Sequence, residues 1–413
     1  MDERLNFDAV VCGGGLVGAS LALALAQLQL SVALIEAVPF GAVQQPSFDE
    51  RTTALSNGSR RVFEALGVWR LVEREATPIR RIHISDKGRF GFARLSAEEQ
   101  GLNALGFVLP NRVMGEALWR RLRAENIAVI APARVMGLRD DEGHRHIEIM
   151  EGTTSRTLSA KLVVAADGAD SAVRDAAGIG VARSDYGQTA IVTNASSQRF
   201  HEYVAYERFT PSGPLAVLPL TEGRVGLIWT LAPDRAAEVL TYSDERFLSA
   251  LQQDFGFRLG RFTRVGQRFS YPLSLTQSAS HIAPRLAVIG NAAQGLHPIA
   301  GQGFNLGLRD AATLAEILAD RQAENATFDP GDPQLLTQYR DWRMQDRSRI
   351  IAFTDGLVRT FTQPWGPLKA MRDIGLLAFD MFPPAKDALA QLSLGAAGRI
   401  PRLARGAPLS RRS

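Results

Sequence analysis

The stretch Phe7-Asp8-Ala9-Val10-Val11-Cys12-Gly13-Gly14-Gly15-Leu16-Val17-Gly18 decides the fold. A short apolar run with β-branched residues and no polar face suits a buried parallel strand. Gly13-x-Gly15-x-x-Gly18 follows at once and opens an apolar run, Leu16 to Leu30, that reads as a helix. Ser31 to Glu36 then reads as a second strand, and Glu36 closes it 21 residues after Gly15. Strand, glycines, helix, strand and acid fall in the order of a dinucleotide-binding unit. The glycines let the backbone approach a pyrophosphate, the helix start offers free N–H groups, and Glu36 can accept ribose hydroxyls.

Two further runs share this design far along the chain. Lys161 to Ala166 leads into Asp167-Gly168, and Arg285 to Gly290 leads into Asn291. Ligands on parallel sheets sit at the carboxyl ends of the strands, so three distant loops are expected at one place. Asp167 either caps the helix that follows or accepts a ligand hydroxyl. The third stretch, Gly290 to Gly307, ends a strand, passes through His297-Pro298, and starts a helix at Gly301-Gln302-Gly303, with Asn305 in its first turn. Such a start turns bare N–H groups toward negative charge.

Around these runs, Met114 to Glu125 reads as a helix and Ala133 to Met150 as a β-hairpin turning at Asp140 to Gly143. Between Tyr186 and Tyr271 the texture becomes that of an antiparallel sheet, with strands at 203–208, 215–220 and 224–230. Phe304 to Leu318, Gln334 to Phe361 and Pro367 to Leu392 read as helices. The fold class is therefore α/β. A Rossmann-like unit is built from 1–75, 101–183 and 280–330. A mostly antiparallel unit is built from 76–100 and 184–279, with a helical segment at 331–395 and a basic tail at 396–413.

The bulk properties narrow the function. The chain has 413 residues, 46% hydrophobic and 22% charged, which fits an ordered globular protein of two or three units. Its single cysteine, Cys12, excludes an intramolecular disulfide and any multi-cysteine metal site. A net charge of +4 is too small to indicate nucleic acid as a partner. The run from Leu16 is too short to span a bilayer, so a cytoplasmic protein is expected. After Asp387 there is no acid, while Arg399, Arg402, Arg405, Arg411 and Arg412 follow. This tail is expected either to be solvated and frayed or to hold weakly to an anionic membrane surface.

Of the six histidines, His83, His201 and His281 read as surface or turn residues. His144 and His146 lie two apart on one strand without a third ligand nearby, so no metal site is expected. His297, in the loop between the third strand and its helix, either acts at the reaction centre or shapes the turn with Pro298.

The three motifs, in order and spacing, resemble those of the class A flavoprotein aromatic hydroxylases of the para-hydroxybenzoate hydroxylase fold. Within that superfamily, Tyr206 to Ala216 and His297 to Asn305 are similar to the ubiquinone-biosynthesis hydroxylases. The resemblance implies FAD, NAD(P)H as electron donor, and O2 added at flavin C4a as a hydroperoxide that an electron-rich phenol attacks. It implies hydroxylation at C1 of a 2-polyprenyl-6-methoxyphenol. Rival readings are a sister hydroxylase acting at another carbon and a flavin-binding scaffold without turnover. By this resemblance Gly13, Gly15, Gly18 and Glu36 would hold the adenosine half, and Arg51 and Arg112 would lie near the flavin. Asp167, Asn291, Gly301, Gln302, Gly303 and Asn305 would complete the cofactor site, with His297 and Pro298 as catalytic candidates. Other ubiquinone-biosynthesis proteins and the membrane surface are the implied partners. Most of the superfamily has Gly-Asp where this chain has Gly290-Asn291, so looser FAD retention is expected, because Asn lacks the charge that assists hydroxyl binding.

Overall fold

The computed structural model describes residues 5–39, 51–89, 91–141, 143–297, 301–362, 391, 394 and 398–409. β1 (Leu5–Cys12), α1 (Leu16–Ala26) and β2 (Val32–Ile35) form the first unit. Then come β3 (Thr52–Ser56), α2 (Asn57–Ala65), α3 (Trp69–Val72), β4 (Thr77–Ile79), β5 (Arg81–Asp86), β6 (Phe92–Ser96), β7 (Gly106–Pro110) and α4 (Asn111–Leu122). β8 (Ile127–Ile130), the hairpin β9 (Arg134–Asp141) and β10 (His144–Glu151), β11 (Thr154–Ala165) and α5 (Ala172–Ala176) follow.

β12 (Val181–Ser197), β13 (Val204–Thr210), β14 (Gly213–Pro219) and β15 (Arg224–Leu231) lead into α6 (Pro233–Leu240) and α7 (Asp244–Phe255). β16 (Phe262–Val265) and β17 (Phe269–Ser278) return the chain to β18 (Ile282–Ala283), β19 (Leu286–Val288) and β20 (Gln294–Gly295). α8 (Gln302–Glu324), α9 (Pro333–Thr362) and α10 (Arg402–Arg405) end the described chain.

The three apolar runs are neighbours in one sheet, in the order β18-β19-β11-β1-β2-β8. β19, β11, β1, β2 and β8 run parallel, and their ends are level: Cys12 pairs with Ala165 and Ile35, and Ala165 with Val288. Both faces are buried, which explains why no polar alternation marks these strands. Val11, Leu34, Val164 and Ala287 pack toward α1, α4 and α8, while Val10, Ala33, Val163 and Val288 join the β9–β10 hairpin. Each fully buried Val or Leu contributes roughly 1.5–3 kcal/mol.

The second sheet has the order β20-β17-β12-β15-β14-β13-β5-β6, with β16 on β12, and is antiparallel except for the β13–β5 pair. One face, with Ile191, Leu215, Val217 and Trp229, is covered by Phe247, Leu251 and Phe255 of α7. The other face turns toward the parallel sheet. β12 begins at Val181, five residues before the expected change of texture at Tyr186, because its first half pairs with β17 beside the nucleotide unit.

Two expectations are corrected. The terminus is not a frayed tail through residues 398–409. Leu403 and Leu409 are buried, and Arg402 binds Glu316 and Asp320 of α8 and the carbonyl of Leu409. The acids missing from the local sequence are supplied by a helix some eighty positions earlier. Arg399 lies over the Trp342 ring, 3.6 Å from its centroid. Arg411 and Arg412, like most of the expected helix 367–392, lie outside the described residues. His201 is not a surface residue either; it is 1% exposed, with Nε2 donating to Leu220 O and Nδ1 accepting the Tyr203 N–H.

Candidate active site

The level strand ends of the parallel sheet open into a cleft of about 980 Å³, at the upper end of ligand-pocket sizes. Gly13, Gly15 and Glu36, then Asp167, then Asn291, Gly301 and Gly303 all line it. Residues as far apart in sequence as Gly13 and Gly303 thus meet in one place, as the three strand-end motifs required.

The glycine turn is built for close approach. Gly13 has φ +113°, and a Cβ there would lie 2.4 Å from Ala166 O. A Cβ on Gly18 would lie 2.0 Å from Gly13 O, so this glycine seats α1 under the turn rather than lining the cleft. Trp119 of α4 supports the turn from beneath, with Nε1 donating to Gly14 O at 3.0 Å. Glu36 accepts the Gly14 N–H at 2.6 Å and the Val38 N–H at 2.9 Å, which fixes its carboxylate at the cleft edge.

Among the helices that begin at the cleft, α1, which starts after Gly15, and α8, after Gly301, carry no side-chain cap. Ser56, Ser171 and Ser243, by contrast, cap α2, α5 and α7 with their own hydroxyls, α5 also beginning at the cleft. Orphan helix N–H groups therefore face the cleft at two separated points. Gly301 reaches its left-handed conformation at φ +61°. An elongated ligand with anionic character at both points fits this donor set.

Asp167 accepts the Ser171 hydroxyl, and the Val173 N–H at 3.1 Å, so its carboxylate does tie down the loop before α5. Burial pushes its carboxyl up, and the bonds to Ser171 and Val173 partly offset this. Burial and Asp167 together push the Cys12 thiol far up, which leaves it protonated and inert. Arg51 lies over the Tyr271 ring, 4.9 Å from its centroid, and both line the cleft.

Other expected site residues stand back from the cleft. Arg112 reaches Glu116 at 3.1 Å, while its neighbour Asn111 lines the cleft. Gln302 is buried at the start of α8. Asn305 makes four bonds, accepting from Ser56 N and Ser59 Oγ and donating to Ala54 O and Gly301 O. Its amide therefore holds the Gly301 turn to β3 and α2. His297 is buried, with Nε2 3.3 Å from Gln188 Oε1 and its ring edge-on to Tyr186. Pro298 lies outside the described residues. His146 faces inward toward Asp141, and among the described residues no cluster of three or more metal-ligating side chains forms.

Several contributors were missed by sequence reading. Trp119 lies within the expected helix Met114 to Glu125, where nothing local marks its bond to Gly14. Arg174 sat inside a quoted motif, yet its clip across two loops, to Ala169 O at 3.0 Å and Ala292 O at 3.1 Å, is a tertiary event. In the far wall, Ala190, Val192, Tyr271 and Leu273 of the antiparallel sheet join Ile228, which the sequence had offered as a pocket residue. Alternation along those strands marked one apolar face but not which face would meet the nucleotide unit.

Comparison with known proteins agrees with this geometry. The family described as FAD binding domain matches residues 6–354. The ubiquinone hydroxylase UbiL of Rhodospirillum rubrum is 39% identical over 97% of this chain and 93% of its own length. The 3-demethoxyubiquinol 3-hydroxylase of Escherichia coli is 32% identical over 90% of this chain and 94% of its own. The human mitochondrial ubiquinone biosynthesis monooxygenase COQ6 is 30% identical over 92% and 91%. Among solved structures, p-nitrophenol 4-monooxygenase PnpA of Pseudomonas putida DLL-E4 shares the fold, with a TM-score of 0.79 at 20% identity, covering 97% of this chain and all of that one. The uncapped helix starts, the glycine cradle and the strand-end carboxylates suit the two ends of FAD, and the chain belongs to the FAD binding domain family as an FAD-dependent aromatic monooxygenase related to the ubiquinone hydroxylases.

Proposed function

We propose that this enzyme hydroxylates C1 of a 2-polyprenyl-6-methoxyphenol in ubiquinone biosynthesis, using NAD(P)H and O2. The observation that supports this is a cleft with two unlike walls. One wall is glycine and carboxylate at the strand ends of the parallel sheet. The other is Ala190, Val192, Ile228 and Leu273, apolar enough for a phenol carrying a hydrocarbon tail. Burial of such a tail at about 0.8 kcal/mol per CH2 would dominate binding.

Residues 1–75, 101–183 and 280–330 hold the cofactor in this reading, while 76–100 and 184–279 cover the substrate. Gly13 and Gly15 admit the pyrophosphate to the N–H groups of α1, with Gly18 seating the helix. Glu36 takes the adenosine ribose. Asn291 would accept from the ribityl hydroxyls, Asp167 would serve FAD and NAD(P)H, and Arg51 and Arg112 would lie near the flavin. Bound FAD supplies hydride acceptance from NAD(P)H and activation of O2 for transfer of one oxygen atom to the ring. The helix-start N–H groups at Gly301, Gln302 and Gly303 would stabilise negative charge beside them. Asn305 holds that turn in place, and His297, through Gln188, ties the chain after β20 to β12. The apolar wall excludes water.

Product analysis with the purified enzyme and the methoxyphenol substrate tests the reading. A C1-hydroxylated product, and accumulation of that phenol when the gene is deleted, are the expected results. Hydroxylation at another carbon would place the chain with relatives such as the 3-hydroxylase. A flavin-loaded protein that never consumes NAD(P)H in the presence of substrate would be a scaffold.

A further inference from the structure

We propose that the loop tips carrying Phe200 and Phe257, with Arg199, Arg258, Arg261 and Arg264, form a docking surface for an anionic lipid bilayer. Phe200 and Phe257 are 48% and 64% exposed and are the exposed phenylalanines among the described residues. Phe200 follows β12, and Phe257 sits in the turn between α7 and β16. Backbone bonds join the two segments: Gln198 N–H to Arg261 O at 2.9 Å and Arg199 N–H to Leu259 O at 3.0 Å. Arg264 pairs opposite Ser196 in the adjoining strands. The six residues therefore belong to one edge of the antiparallel sheet.

The tip is held in shape before any partner arrives. Gly260 takes φ +70° against Gln198, and the Phe200 ring lies 4.3 Å from that of buried His201. Charge at the tip is one-sided. Arg199, Arg258, Arg261 and Arg264 are exposed, and none of their guanidiniums joins an ion pair among the described residues. Nearby Arg224 and Arg268 do have partners, in Glu222 and Asp244. Glu202 is the unpaired acid beside the tip. Partly exposed aromatic rings on adjoining turns, with guanidiniums beside them, match a headgroup layer: rings enter the interface and the cations meet phosphates. Within the described terminus, by contrast, Arg402 is bound to α8 and Arg399 is stacked on Trp342.

The placement also connects to the cleft. β12 carries Val192 in the cleft wall and Ser197 at the base of the tip. Five residues of strand span roughly 17 Å, a distance an isoprenoid tail can bridge. That connection rests on the proposed tailed substrate; the docking itself does not.

Flavin-loaded full-length protein, sedimented with vesicles, tests the docking. Binding is expected with phosphatidylcholine mixed with phosphatidylglycerol, to be weak with phosphatidylcholine alone, and to fall with added salt. Replacing Arg199, Arg258, Arg261 and Arg264 by Gln should weaken it about fivefold per arginine, and F200S/F257S should weaken it independently of salt. Both variants should keep FAD and oxidise NAD(P)H normally with a short, water-soluble phenol, since none of these residues lines the cleft. Equal binding to neutral vesicles, anionic binding that survives both variants, or capture of acidic protein or nucleic acid in place of vesicles would each overturn the proposal. A substrate without a tail would alter the assay phenol and leave the vesicle result intact.

Discussion

Asp310 Oδ2, on α8, accepts the backbone N–H of Gly290 at 3.1 Å, under the turn that presents Asn291 to the cleft. The same carboxylate binds Arg343 at 2.8 Å and Arg347 at 2.9 Å, both from α9. The third strand-end loop is thus anchored to two helices through one buried acid. Burial alone would raise the Asp310 carboxyl, but Arg347 and Arg343 outweigh it and hold it at about 2. Its contribution is present above the ordinary value of 3.8 and is lost as pH falls toward 2. Asp310→Ala leaves buried Arg347 without a carboxylate and Arg343 with Asp346 alone, and should cost about 3–5 kcal/mol, with loss of FAD on gel filtration. Asp310→Asn should flatten the acid limb of a Tm-against-pH curve; an unchanged limb would remove Asp310 from that role.

Trp119→Phe keeps the ring beneath Gly14 and deletes the donor to its carbonyl. A stability loss of about 1 kcal/mol is expected, with weaker FAD binding on titration of the apo-protein. Gly13→Ala is the harsher change, because its φ of +113° and the contact with Ala166 O leave no room for a methyl group. It should purify colourless.

Asn291 is exposed in the cleft and carries no charge. Asn291→Asp should bind FAD more tightly in the same titration, since charge-assisted bonds to hydroxyls are roughly twice as strong as neutral ones. Equal affinities would show that the amide already suffices.

Glu207 of β13 lies between Ala216 and Ile84 on the sheet and joins no ion pair among the described residues. Burial pushes its carboxyl up to about 8. A raised carboxyl favours folding below the unfolded value of 4.5, and that advantage is lost as pH rises through 8. Glu207→Gln should therefore raise Tm increasingly from pH 5 to pH 8.5. A constant difference across that range would show that the carboxyl ionises freely.

Burial holds the His297 imidazole down at about 4, so it is neutral at pH 7, and its share of stability is lost as pH falls from 6.5 toward 4. His297→Ala should lower Tm while leaving NAD(P)H oxidation coupled to product, because the ring meets Gln188 and Tyr186 and not the cleft. Release of hydrogen peroxide in place of product would put His297 at the reacting ring.

The sequence alone determined that three strand ends, at Cys12, Ala166 and Gly290, converge on one ligand. Buried parallel strands must be continuously apolar, and a tight backbone approach needs glycine, so both leave a local trace. It also marked an antiparallel insertion and the helix that begins at Gly301. Only the tertiary structure decided which residues serve the cleft and which serve its frame. His297, for which the sequence left a choice between the reaction centre and the turn, bonds Gln188, Asn305 bonds the Gly301 turn, and Trp119, Arg174 and Asp310 became supports that no local pattern marks. Arg402 found its acids on α8, far from any neighbour in sequence. A side chain's partner depends on how sheets and helices close over it, and residue spacing carries no record of that closure.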